Sequence, residues 1–309
     1  MKLNRFATYA WIALFYNLAV IIWGAFVRAT LSGDGCGSHW PLCNGEVMPH
    51  TGQTATLIEW THRLTSGLSL VLILVLVYWA FRAYPRKHRV RLGAALAMFF
   101  ILTEALVGAG LVLFQLVARN ASVARALFMA VHLTNTFFLL AALALTAWWS
   151  SGGQFPNMRK QGAMGRVFGA GLLGTLILAV SGAVAALGDT LFPASSLWQG
   201  FQQDFSPASH FLLRLRFLHP TIAVAVGAYL IFIARLAHDK RPGIYTRRLS
   251  WMFAALLLAQ LGAGALNVIL RAPIWLQLFH LLMSNLIWVV LVLLSAAALS
   301  DGTIPLEEV

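Results

Sequence analysis

Long apolar stretches recur along the whole chain, and they restrict its fold more than any other feature. We predict eight membrane-spanning segments, at roughly 10–30, 60–81, 92–115, 125–149, 166–187, 212–235, 249–270 and 276–299. Each is long enough to cross a hydrocarbon core of about 30 Å. Helices satisfy every backbone group within lipid, and the sequence does not alternate in polarity as barrel strands do. The sequence therefore predicts an all-α integral membrane protein.

Composition and charge agree with this class. Hydrophobic residues make up 60% of the chain and charged residues 10%, far below the usual share in soluble domains. The net charge of +12 is explained by basic loops, and we expect no nucleic-acid partner. Residues 1–30 contain no small-residue cleavage site after their apolar run, so we expect no cleavable signal peptide.

Lysine and arginine are distributed unevenly between the two sides of such a bundle. Fifteen of the 22 lie at the N-terminus or in the loops after the second, fourth and sixth segments, and seven lie on the opposite side. Because cytoplasmic loops carry the excess of basic residues, we expect a multi-pass cell-membrane protein with both termini in the cytoplasm. The loops at 31–65 and 188–211 then face outward.

Two pairs of segments resemble one another across the chain. WGAFVRATLSGDG at 23–35 is similar to SGAVAALGDTLFP at 181–193, and LVGAGLVL at 106–113 is similar to LGAGALNVIL at 261–270. This spacing predicts an internal tandem repeat of two similar four-helix bundles. The two halves would be residues 1–150 and 151–309.

Four histidines occupy matching positions in this pattern. Each lies near the outer end of an even-numbered segment, and they are His62, His132, His219 and His280. A single histidine at such a place is most simply an interfacial residue with a satisfied hydrogen bond. Four at one level favour two haem sites toward the outer face, because a haem iron takes two axial imidazoles and helical bundles commonly hold haem. Ionisable groups inside a bundle are also costly and usually functional.

Arginines on the outer side are candidates for binding the haem propionates. They are Arg63, Arg214, Arg216 and Arg271, and we assign Arg63 and Arg216 to the site. A guanidinium fork matches a carboxylate in shape and charge. The alternative is that these side chains only extend toward lipid headgroups.

Glu59 lies three residues before His62, so one helix face would carry both and the carboxylate would lie near any iron that His62 binds. The competing interpretation is a capping box, in which Glu59 bonds the amide of Thr56 at the helix start. The spacing alone does not separate the two. Glu104, inside the third segment, is either structural or part of a proton path.

The two cysteines, Cys36 and Cys43, lie in the first outward loop. A disulfide persists outside the cytoplasm, and one between them would close a small ring over the site. Their spacing does not match a CxxC motif, and two thiols alone make a poor zinc site. A structural or exchangeable disulfide is the default expectation, and a catalytic thiol is the alternative.

The segment GCGSHWPLCNGEVMP, followed by EWTHR and the later histidines, resembles the haem A synthases of the COX15/CtaA family over nearly the whole chain. The resemblance implies oxidation of the C8 methyl of haem O to a formyl group by two successive hydroxylations. It also implies haem O synthase as the supplier of substrate and cytochrome oxidase as the destination of the product. The electron donor and the oligomeric state stay open.

Carried over by position, the resemblance assigns the substrate haem O to His62 and His132, and a resident haem b to His219 and His280. Glu59 would be the carboxylate needed for catalysis. The two cysteines would form the loop disulfide of the bacterial branch, with a structural or a redox role.

Two other functions fit parts of the pattern. A di-haem b electron-transfer cytochrome of the quinol-oxidising type would carry the same four histidines, but it would retain both haems and would not require Glu59. A transporter would explain the internal repeat but leaves the paired histidines without a role.

Overall fold

The computed structural model describes residues 4–50, 52–157, 161–241 and 243–300. Over these residues the chain forms ten helices: α1 (Arg5–Ala29), α2 (Thr54–Ala83), α3 (Arg89–Leu113), α4 (Val123–Ser150), α5 (Ala163–Leu191), α6 (Leu197–Phe205), α7 (Phe211–Arg216), α8 (Leu218–Lys240), α9 (Ile244–Ile269) and α10 (Ile274–Ala298). Eight helical spans are long and apolar enough to cross a membrane, with α7 and α8 together forming one of them. The expected all-α, multi-pass membrane fold is confirmed, while the internal repeat and the division into two halves stay predictions.

The observed helices agree with the predicted segments apart from their ends, and one end matters for function. Helix α2 begins at Thr54 rather than near residue 60, so Glu59 and His62 lie in its second and third turns. Thr56 and Glu59 are buried and bond the backbone of the preceding loop. Tertiary contacts therefore extend the helix beyond its apolar stretch.

The loop at 188–211, predicted to face outward, contains structure that was not expected from the sequence. Helix α6 forms within it, and the next spanning segment is broken at Phe217, between α7 and α8. Pro220 lies in the first turn of α8, where its missing N–H needs no helical acceptor. His219 lies in the same turn and is therefore helical.

Polar side chains cap two helices of the N-terminal half. Asn4 Oδ1 accepts a hydrogen bond from Ala7 N at 2.8 Å, and Ser122 Oγ accepts one from Arg125 N at 3.2 Å. These bonds satisfy first-turn N–H groups that have no partner within the helix. They fix where α1 and α4 begin, and so the depth of the residues that each helix carries.

Helix α10 occupies the centre of the bundle. The most apolar 18 residues of α10 are 72% buried, whereas the corresponding stretches of α3 and α9 are 17% buried and expose their outer faces to lipid. It packs on α1, α4, α5 and α9. Trp288 Nε1 donates to Phe137 O on α4 at 2.6 Å, and the two rings stack with centroids 5.1 Å apart.

Polar contacts also cross from the first half of the chain to the second. The guanidinium of Arg28, at the end of α1, donates to Ala186 O at 2.9 Å and to Thr190 Oγ1 at 2.5 Å, both on α5. It also donates to Gln277 Oε1 on α10 at 2.9 Å. The two halves are therefore joined near the ends of these helices by one side chain.

The orientation of the bundle stays a prediction. Three of the basic residues on which it rests, Lys2, Arg159 and Lys160, lie outside the described residues. The haem sites are placed toward the outer face on the same basis.

Candidate functional site

His219 and His280 face each other in the C-terminal half. His219 lies in the first turn of α8 and His280 in the second turn of α10, and their ring centroids are 6.3 Å apart. An imidazole nitrogen binds a transition metal at about 2 Å and the ring centre lies about 1 Å further out, so two rings on opposite sides of one iron have centroids about 6 Å apart. The observed separation fits one haem iron between the two rings.

Polar neighbours orient these two imidazoles. Ser181 Oγ lies 3.0 Å from His219 Nδ1, and Gln260 Nε2 lies 3.2 Å from His280 Nε2. A hydrogen bond at one ring nitrogen selects the tautomer and the orientation of the other. The Ser181 contact at Nδ1 leaves Nε2 of His219 free, and the Gln260 contact at Nε2 leaves Nδ1 of His280, which is buried without a hydrogen bond in the described part of the chain.

His62 and His132 form the corresponding pair in the N-terminal half, on α2 and α4. The Nδ1 atoms of both rings are buried and make no hydrogen bond within the described part of the chain. His132 Nδ1 lies 3.3 Å from Oε1 of Glu104 on α3. Buried polar atoms normally have partners, so two imidazoles of this kind fit a site that binds a further group.

Two of the four imidazoles pack closely against a glycine of the preceding spanning helix. A Cβ atom at Gly24 would lie 2.8 Å from Cε1 of His62, and one at Gly182 would lie 2.9 Å from Cε1 of His219. Both distances are too short for carbon atoms in contact. Helices α1 and α5 therefore need glycine where the rings of His62 and His219 lie.

The other two imidazoles face glycines with more room. A Cβ atom at Gly264 would lie 3.2 Å from Cε1 of His280, and one at Gly108 would lie 3.8 Å from Cε1 of His132. None of these four glycines was predicted as a site residue. Gly108 and Gly264 lie in the GxG segments at 106–113 and 261–270, which were the only sequence signal for them.

Glu59 is buried and binds the cysteine loop. Its Oε2 accepts a hydrogen bond from Cys36 N at 2.8 Å, and its Oε1 accepts from Arg63 Nη2 at 2.5 Å. The capping-box interpretation is wrong, because the helix begins before Thr56 and the hydroxyl of Thr56 donates to Gly35 O. The carboxylate instead fixes the loop to the N-terminal end of α2.

Cys36 and Cys43 form a disulfide, as expected. Both are fully buried, and their loop is closed further by hydrogen bonds from Asn44 N to Cys36 O and from Cys43 N to Glu46 O. The ring therefore forms a compact unit, and Glu59 bonds its first residue. Neither cysteine is a free thiol, which leaves no nucleophile at this place in the oxidised protein.

The guanidinium of Arg63 is used mostly within the protein. Besides the bond to Glu59, its Nη1 donates to His39 O and to Leu42 O, each at 2.6 Å. Arg63 thereby binds both the loop and the carboxylate. Its assignment to a haem propionate stays a prediction.

Arg216 is similarly engaged. It donates to Asp189 Oδ1 and to Asp204 Oδ1, each at 2.8 Å, and to Gly200 O at 3.1 Å. Burial raises the pKa of Asp204, and the Arg216 guanidinium opposes that shift. These bonds fasten α6 to α5 and α7, and a propionate contact of Arg216 also stays a prediction.

Within the described residues, no three side chains of His, Cys, Asp or Glu converge to hold a metal ion by themselves. Haem does not require such a cluster, because the porphyrin supplies the equatorial nitrogens and the protein adds only axial ligands. Paired imidazoles with glycine-lined ring positions are the donor set that suits haem.

The sequence matches the model of the COX15-CtaA family, described as cytochrome oxidase assembly protein, over residues 7–292. The chain belongs to this family. Several relatives of this COX15-CtaA protein are named heme A synthase. That of Exiguobacterium sibiricum is 29% identical over 285 residues, covering 90% of this chain and 89% of the relative. That of Halalkalibacterium halodurans is 43% identical over 95 residues, covering 31% of this chain and 32% of the relative.

A third relative of this COX15-CtaA protein carries a different name. A protoheme IX farnesyltransferase of Thermus thermophilus is 54% identical over 299 residues, covering 97% of this chain and 49% of the relative. The chain therefore spans about half the length of the Thermus relatives that it matches.

Proposed function

We propose that this chain is a haem A synthase, which oxidises the C8 methyl of haem O to a formyl group. Two successive hydroxylations, each a two-electron oxidation of this carbon by an oxidant from outside the chain, give a gem-diol, which loses water. The observation that carries the proposal is the pair His219 and His280, whose rings are 6.3 Å apart in a member of the COX15-CtaA family. Relatives named heme A synthase support the same reaction.

The two histidine pairs have different tasks in this proposal. His219 and His280 would hold a resident haem b, and His62 and His132 would hold haem O as substrate. When bound, haem b supplies one-electron transfer, while haem O brings the methyl group that is oxidised. The glycines facing the rings allow each imidazole to lie close against its neighbouring helix.

Glu59 is the carboxylate on which the reaction depends. It lies one turn before His62 on α2 and is held by Cys36 N–H and by Arg63. These bonds keep a buried carboxylate in one position at the outer end of the helix that carries a substrate ligand. Its negative charge is compensated by Arg63, as a charge in this environment requires.

We infer that haem O synthase delivers the substrate. The Thermus relative is about twice as long as this chain and is named for farnesyl transfer to protohaem, a reaction that would make a farnesylated haem. A second activity in the unmatched half of that relative would place supply and consumption of haem O in one protein. In this chain the supplier would be a separate partner in the same bilayer or a further part of the same protein.

The direct test is to express the chain in a host that makes haem O and to identify the extracted porphyrins by mass. Haem A is expected only when the chain is present. An E46Q variant, which changes an exposed carboxylate of the same loop, serves as the matched control and should give the same product. Two retained b-type haems with no modified porphyrin would instead identify a di-haem cytochrome.

A further inference from the structure

Glu104 is a carboxylate beside His132, and the proposed function leaves it without a role. It lies on α3, four residues before Gly108, the glycine that faces His132. Its Oε1 is 3.3 Å from His132 Nδ1. Carboxylates within membrane bundles are costly, and most serve a function.

Neighbouring side chains hold this carboxylate in place. Thr136 Oγ1 donates to Glu104 Oε1, and Asn135 Nδ2 donates to Glu104 Oε2 at 2.5 Å. Thr103 Oγ1 donates to Asn135 Oδ1 at 2.7 Å, which fixes the orientation of that amide. Glu104 Oε1 lies 3.3 Å from His132 Nδ1, which has no hydrogen-bond partner in the described part of the chain, so the carboxylate is placed to accept from an N–H at that nitrogen.

In the C-terminal half, the position that corresponds to Glu104 is occupied by a glutamine. Gln260 lies on α9 four residues before Gly264, the glycine that faces His280, and its Nε2 is 3.2 Å from His280 Nε2. The Oε1 of Gln260 is buried and makes no hydrogen bond within the described part of the chain. Ala259 and Met283 stand where the N-terminal half has Thr103 and Asn135, so the part of the network that these two residues form is not repeated, and only the hydroxyl of Thr136 has a counterpart, in Ser284.

We propose that Glu104 is a positioning residue for His132. By accepting from Nδ1–H it fixes one tautomer and presents Nε2 to the iron of the substrate haem. A carboxylate partner raises the basicity of a ligating histidine, so His132 is a stronger donor to its iron than His280 is to its own. The inference rests on the proposed function, because it requires haem between His62 and His132.

The test uses the full-length protein, saturated with added protohaem, in wild-type form and as the E104Q and Q260E variants. Haem stoichiometry, ferric electron paramagnetic resonance and the midpoint potential of each haem are measured, and an H132A variant assigns the N-terminal signal. E104Q should keep the stoichiometry, shift the N-terminal signal and raise that haem's potential, leaving the other haem unchanged. Q260E should lower the potential of the C-terminal haem, because it places a carboxylate beside His280.

The outcomes separate the inference from the function on which it depends. A wild-type protein that takes up no haem overturns both. A wild type that binds two haems, with a spectrum and potential that E104Q leaves unmoved, overturns the inference alone and reduces Glu104 to a structural residue.

A second variant serves if E104Q does not accumulate. T136V removes the donor at Glu104 Oε1 and leaves the carboxylate itself intact. We expect the N-terminal haem signal to shift or broaden and the C-terminal signal to stay unchanged. Unchanged signals from both haems in T136V would also count against the inference.

Discussion

The two histidine pairs both pack against glycines of neighbouring helices, but the polar groups around them differ. In each half the second histidine of the pair, His132 or His280, lies near the start of its helix. Each of the four rings faces a glycine of the preceding spanning helix. The C-terminal pair has neutral neighbours, Ser181 and Gln260. In the N-terminal half, Glu104 lies 3.3 Å from His132, and Glu59, one turn before His62 on α2, binds the disulfide-closed loop. Under the proposed function, the C-terminal surroundings suit a resident haem and the N-terminal surroundings suit a reacting one.

Replacing one of the four histidines should have the largest effect on haem binding or product, and it should separate the two halves most clearly. H219A or H280A is expected to abolish binding of the resident haem, because either change leaves the iron with only one of its two axial imidazoles. H62A or H132A should keep that haem and abolish haem A formation. Haem content and extracted porphyrins check both, and equal loss of resident haem from all four variants would contradict the comparison.

E59Q should lower haem A formation by roughly tenfold or more, because hydrogen bonds to a charged group contribute about 1.5–3 kcal/mol and the amide removes the charge paired with Arg63. Resident haem b should be retained, since its ligands lie in the other half. Product yield per bound haem b measures the effect. Normal yield would leave Glu59 as a support of the loop only.

G24A should displace His62, since its new Cβ would lie 2.8 Å from the ring, and overpacking of this kind costs about 1–3 kcal/mol. We expect haem uptake by the N-terminal site to weaken roughly tenfold on that scale. G108A is the matched control, because its Cβ would lie 3.8 Å from His132 and make an ordinary contact. Haem titration of both variants measures this affinity. An equal loss of affinity in G24A and G108A would show that the glycine does not set the position of the ring.

The double variant C36S/C43S should have the smallest effect on haem. Loss of the short disulfide loop should lower stability by about 2–3 kcal/mol, seen as a lower thermal unfolding midpoint. Resident haem content should not change, and product yield should fall only as far as the loop shifts Glu59. Thiol labelling of the wild type without reductant should find no reactive cysteine, and two labelled thiols would contradict the disulfide.

The spanning helices were readable from the sequence because lipid imposes length and polarity on every segment. The four histidines were readable because each is a polar residue in an apolar stretch. Helix α6 and the early start of α2 were not, since both depend on contacts between the outer loops and the helix ends. Apolar periodicity contains no information on such contacts.

The sequence did not predict which side chains contact each other within the site. Thr56 and Glu59 fit a capping box in spacing, but the true helix start at Thr54 removes it. The partners of Arg63, Arg216 and Glu104 depend on side-chain directions that only the packed bundle defines.

The central position of α10 has a consequence for biosynthesis. It is the last of the eight candidate spanning helices described in this chain, yet α1, α4, α5 and α9 all pack against it. Until it inserts, those helices lack a neighbour that each of them contacts, and His219 lacks its facing ring. Pairing of His219 with His280 therefore waits for this last helix, and a ribosome stalled before residue 274 would leave the bundle without its central helix.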